Sequence, residues 1–264
     1  MASSQWLPEV NAIVFDLDLI FLETVFDERL SLSLGVVLVG GVVLGYSGFG
    51  TGLIFVALLS LIYSAREAVA MLMIMGSLGT SLLLPSAIHR TNWRETIPMS
   101  CVAILAIPMG SYVLLTIDQH IMQRIIGLAV FCLSIMMFLG VTYTGQRSQL
   151  TNIIAGVISG VVAGATGLGR LLVALYFISS EQSVVVQRAN IIIVGSSIAV
   201  LNLMILIVTG VVTLELAVRA GILFLPFAAT IWLGARFFSV STAEWFRRIV
   251  LSLIMVIAVI TIFA

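Results

Sequence analysis

Eight long apolar stretches, separated only by short polar joints, run through this chain at 31–63, 68–88, 96–117, 124–144, 150–179, 184–209, 215–235 and 247–263. Six of them have close to the ~20 residues that a helix needs to cross the hydrocarbon of a bilayer. Charged residues make up 9% of the chain, against roughly 25% in a soluble domain. Mean hydropathy is +1.23. Lipid is the solvent that such a composition fits, and backbone amides in lipid must be satisfied within the segment. The expected fold is therefore an all-α polytopic membrane protein. The twelve basic residues, all Arg, are balanced by twelve acidic ones, so the basic patch that nucleic acid requires is missing. Cys101 and Cys132 lie within apolar runs, where cysteine behaves as a small hydrophobe.

Two stretches, 31–63 and 150–179, are too long for one crossing and too short for two. About thirty residues of straight helix would measure ~45 Å. Each is interrupted by glycines, which weaken a helix and permit left-handed backbone. The first interruption reads Gly45-Tyr46-Ser47-Gly48-Phe49-Gly50, and the second Gly164-Ala165-Thr166-Gly167-Leu168-Gly169, 119 residues on. At the same offset Gly76-Ser77 matches Gly195-Ser196, and Ser60 and Ser64 match Ser179 and Ser183. The chain reads as a duplication of 31–144 and 150–264, preceded by an N-terminal segment, 1–30. If each broken stretch returns to the side it entered from, three further crossings per unit make the copies inverted repeats. Arg29, Arg66, Arg124 and Arg219 then share one side. Arg90, Arg94, Arg147, Arg236, Arg247 and Arg248 share the other, which the positive-inside tendency makes cytoplasmic. The expected architecture is two inverted repeats, each a glycine-broken helical hairpin plus three transmembrane helices.

At these residues the chain resembles the TauE/SafE family of sulfite-exporter-type membrane permeases. The resemblance covers about 31–264. It rests on the duplicated glycine elbows, on the joint Arg90-Thr91-Asn92-Trp93-Arg94, and on the helices containing Pro108 and Pro226. The chain departs from the family pattern where Thr51 interrupts the first elbow, where Arg170 follows the second directly, and in lacking a Pro just after either. The resemblance implies export or uptake of sulfur-containing organic or inorganic anions, such as sulfite, sulfonates or thiosulfate, across a bacterial inner membrane.

Unwound backbone at membrane depth is tolerated where it lines a cavity, and a half-helix starting there aims free N–H groups and a positive dipole end into it. The candidate substrate-binding residues are Gly45, Ser47, Gly48, Gly50, Gly164, Thr166, Gly167, Gly169 and Arg170. The alternative role for the glycines is close helix packing. Arg170 and Arg188 lie within apolar sequence, where an arginine usually faces a cavity, a counter-charge or an anion. Glu181 is a candidate counter-ion, and Arg188 fits snorkelling to the interface equally well. Asn190, Ser77 and Ser196 are candidate pathway residues, while Asn190 and Asn202 fit hydrogen bonding between helices as well. Arg66 and Glu67 read as solvated joint residues, and Trp93 with Arg90 and Arg94 as an interfacial anchor.

Gly45-Tyr46-Ser47-Gly48 has the G-x-S-G form of rhomboid-type proteases. That chemistry needs a base beside the serine, and both histidines, His89 and His120, sit in polar joints. No metal cluster, cofactor motif or G-K-[ST] phosphate loop follows either elbow. The expectation is a transporter of a small anion, not an enzyme, working by alternating access with the lipid bilayer and its solute as partners. A channel is the second reading, and a homodimer is compatible with the sequence. Val10, Ile13, Val14, Leu17 and Phe21 recur at helical spacing in an acidic leader that lacks the pattern of a secretory signal. They read as a surface amphipathic helix or as a partly ordered leader.

Overall fold

A computed structural model describes residues 26–47, 51–81, 83–141, 145, 148–238 and 243–263. The amphipathic reading of the N-terminal segment falls on residues 1–25 and lies outside the described residues, as do Gly48 and Gly50. The described residues form α1 (Glu28–Ser47), α2 (Thr51–Ile62), α3 (Ala65–Ser81), α4 (Leu84–Ile88), α5 (Trp93–Thr116) and α6 (Gln119–Phe138). There follow α7 (Gln149–Thr166), α8 (Gly169–Ile178), α9 (Val184–Val208), α10 (Leu214–Phe238) and α11 (Ala243–Phe263). Among the described residues there is no strand, and α5, α6, α7, α9 and α10 are each long and apolar enough to cross a membrane. Large apolar side chains such as Leu105, Tyr112, Val208 and Leu225 are exposed on the outside of the bundle, the surface that lipid covers. Its interior is equally apolar, with Phe55, Met71, Met75, Ile107 and Phe177 fully buried.

Two boundaries differ from the sequence reading. First, α1 starts at Glu28 rather than 31, because the Asp27 carboxylate accepts from the Leu30 N–H at 3.0 Å and so supplies the missing partner of a helix start. Second, the stretch 68–88 is not one rod. α3 stops at Ser81 and a short helix, α4, restarts with Pro85 in its first turn, where the missing N–H costs nothing. By contrast, Pro98, Pro108 and Pro226 lie inside continuous helices.

Both over-long stretches are hairpins. Ser33 and Tyr63 are thirty residues apart, ~45 Å in a straight helix, yet their hydroxyls meet at 3.1 Å. Between them Gly40 lies against the Phe55 ring, so α2 runs back along α1. In the second stretch, ten residues of helix would place Gly169 ~15 Å beyond Ser159. Instead Gly169 lies against the Ser159 carbonyl and Ala163, so α8 folds back on α7.

The closest helix pair is α5 with α7. Gly156, Gly160 and Gly164 of α7 sit on Met99, Ala103 and Ile107 of α5, and both helices advance four residues per contact. The two therefore run parallel, backbone against backbone, as small residues at four-residue spacing allow. Gly110 of α5 returns the contact at Val161 and Ala165. Long contacts also join α1 with α10 and α6 with α11, while α3 and α9 pack together.

Candidate functional site

The second elbow is set by one residue. Gly167 ends α7 in the left-handed region, φ +76°, which glycine enters without a Cβ penalty. Its N–H donates to the Ala163 carbonyl at 2.8 Å. Thr166 is buried, and its hydroxyl donates to the Val162 carbonyl and accepts from the Leu168 N–H, so it ties the turn together. Two residues later α8 begins, with Arg170 in its first turn. A methyl on Gly167 would stand 2.9 Å from the Leu72 tip and force a side chain out of the left-handed well. Gly167→Ala is expected to lower stability by about 1–2 kcal/mol, read as a lower unfolding temperature in detergent.

The start of α2 lies beside the second elbow. A methyl on Gly52, second residue of α2, would stand 3.4 Å from Leu168 and 3.8 Å from Leu72. Leu72 therefore lies against both the start of α2 and the second elbow. The first turns of α2 and α8 converge here, and each adds the partial positive charge of a helix start.

Arg170 supplies a full charge. Its stem and guanidinium cover Gly195 of α9, where a Cβ would stand 2.6 Å from Nε and 3.3 Å from Cγ. The Nη2 atom is buried and has no hydrogen-bond partner. Glu181 is exposed, and among the described residues no carboxylate forms an ion pair with Arg170. A buried guanidinium nitrogen without a partner is costly, and an anion removes that cost. Thr51 Oγ1, in the first turn of α2, is also buried without a partner, as is Ser77 Oγ of α3.

The other sequence candidates are placed as follows. Gly164 faces α5 at Ile107, Gly110 and Ser111, and Gly169 faces the preceding arm of its own hairpin, so both are packing glycines. Gly45 and Ser47 lie in the last turn of α1. Ser196 donates to its own helix at Ile192. Arg188 is exposed in the first turns of α9. Asn190 is fully buried, accepts from the Asn92 N–H and Thr96, and donates to Gln182.

One residue takes the inter-helix role that its sequence allowed, Asn202, and one takes a role not visible in the sequence, Arg66. Asn202 on α9 donates to the Ala163 carbonyl at 2.8 Å and accepts from Ser111 of α5 at 3.4 Å, so it clamps the last turn before the elbow. Arg66, read as a solvated joint residue, instead donates to the Leu114 and Ile117 carbonyls and caps the end of α5.

A family model described as "Sulfite exporter TauE/SafE" matches residues 33–261. No curated protein and no solved structure matches the chain.

Proposed function

The chain belongs to the sulfite exporter TauE/SafE family, whose members are membrane permeases rather than enzymes, and from that premise we propose that the paired elbows hold a small sulfur-containing anion during alternating access. One observation carries this reading: Nη2 of Arg170, buried without a partner in the first turn of α8, where the starts of α2 and α8 converge. An oxyanion supplies several acceptors at once, so it suits a fork of N–H donors and free helix amides.

The two halves act as inverted repeats in this mechanism. The helix pairing supports that. At the 119-residue offset α7 corresponds to α1 and α10 to α5, so the contacts α5–α7 and α1–α10 are one contact with its halves exchanged. Each half thus grips the hairpin of the other. Rocking one half against the other opens the elbow pair to alternate sides while the site stays put. The sequence shows no nucleotide loop, and the cycle is taken to run on the solute gradient or on an ion gradient.

The test is a thermal-shift panel of sulfite, thiosulfate, taurine, isethionate, sulfoacetate and simple carboxylates, followed by counterflow of the best binder in proteoliposomes. A ligand at ~100 times its Kd stabilises by about 2.7 kcal/mol, a readable shift. At least one sulfur anion should give that shift and saturable counterflow. No shift with any of them overturns the reading, and flux that fails to saturate makes the protein a channel.

A further inference from the structure

The two elbows match in sequence, but the residues that follow them differ. At the 119-residue offset Arg170 corresponds to Thr51, Gly195 to Gly76 and Ser196 to Ser77. In the second half the Arg170 side chain fills the space over Gly195. In the first half Thr51 stands at the position that corresponds to Arg170, and a Cβ on Gly76 would meet nothing within 4 Å. Thr51 is 7% exposed and its Oγ1 has no partner. Ser77 Oγ is likewise buried and unpartnered, whereas its counterpart Ser196 is satisfied within its own helix.

Resting on the reading of the elbow pair as the substrate site, we infer that the site is polar in the sense of a magnet: Arg170 takes the charged head of the substrate, and Thr51, with Ser77 and the open space at Gly76, forms a neutral subsite for its tail. The start of α2 adds a partial positive charge there but no full one. An electron-rich, uncharged oxygen, a hydroxyl or carbonyl, suits it. An ammonium is repelled by the helix end, and a second anion finds no cation. The favoured ligand class is an elongated organic monoanion with a neutral oxygen at its far end, over a dianion or a zwitterion.

Four two-carbon sulfonates test this, with binding to the purified full chain read by thermal shift and transport in proteoliposomes. The wild type should prefer 2-hydroxyethanesulfonate to ethanesulfonate by about 5-fold, the size of one hydrogen bond. It should bind taurine and ethane-1,2-disulfonate more weakly than 2-hydroxyethanesulfonate. Thr51→Val, close in shape, should bring 2-hydroxyethanesulfonate down to the ethanesulfonate level. Thr51→Arg places a second guanidinium in the space at Gly76 and should turn the preference to the disulfonate by about 10-fold, the size of a charge-assisted bond. Equal binding of all four by the wild type, or an equal loss of all four in Thr51→Val, overturns the neutral subsite. Arg170→Gln separates the two readings. If it abolishes binding of all four while Thr51→Val leaves their ranking unchanged, the anion site stands and the subsite falls. If the wild type binds none, both fall. The wild-type ranking and Thr51→Val decide the matter even if Thr51→Arg does not fold.

Discussion

Arg170→Gln is expected to cut anion transport about 10- to 100-fold while the unfolding temperature holds or rises. The two halves of that result come from one fact. Nη2 is buried with no acceptor in the protein, a polar group whose burial folding does not reward. Removing it relieves an unfavourable burial, since an arginine within the membrane costs roughly 2.5–3.5 kcal/mol on insertion scales. Its bond to an anion, by contrast, is charge-assisted, worth about 1.5–3 kcal/mol, which gives the stated loss. A merely structural arginine behaves the opposite way: its loss lowers the unfolding temperature, and transport falls only in proportion to folded protein. The measurement is counterflow normalised to folded protein, beside a melting curve. A fall in both together, or transport unchanged, removes Arg170 from the site. Gln retains much of the stem's volume over Gly195, so the substitution tests charge more than packing.

What the sequence disclosed depended on how local each signal was. The break at the second elbow was legible because a glycine cluster interrupts an over-long apolar stretch and recurs 119 residues away; in the fold Gly167 ends α7 at φ +76°. Membrane class, hairpins and family followed from run lengths and from the repeat of that break. What the sequence left open was which distant element each of these residues meets. Gly164 and Gly167 look alike in sequence, yet Gly164 is needed because α5 leaves no room for a Cβ, and α5 lies some fifty residues away. Asn202 reads as a hydrogen bond between helices, but its acceptor, Ala163, lies 39 residues back and only the fold names it. Arg66 reads as a solvated joint because its acceptors, the last carbonyls of α5, lie 48 and 51 residues on. Pro85 did carry a usable signal, a helix start inside a long apolar stretch, but Pro98, Pro108 and Pro226 show why it is weak: the same residue sits inside continuous helices elsewhere.

Arg219 is the largest such case, and Arg219→Gln is expected to destabilise the folded protein by about 2–3 kcal/mol. The side chain is 4% exposed in α10, with Nη2 at 3.0 Å from Asp27 and 2.8 Å from Glu215, and its guanidinium stands 5.6 Å from the centre of the Tyr63 ring. Tyr63 in turn meets Ser33 at the mouth of the first hairpin. One cation thus holds the start of α1, the end of α2 and the start of α10 at one point. Breaking a fully buried pair from one side costs roughly 3–5 kcal/mol. The two carboxylates here are 33% and 37% exposed and can turn partly to water, which lowers the figure. The charge count then sets the order of the variants. Removing Arg219 leaves two carboxylates facing each other with no cation between them. Removing one carboxylate, by Asp27→Asn or Glu215→Gln, leaves a neutral pair and should cost less than ~1 kcal/mol, as for other part-exposed ion pairs. Melting curves of the three variants test this. If both carboxylate variants lose as much as Arg219→Gln, the cluster is held by each bond separately, and the arginine is not its common anchor.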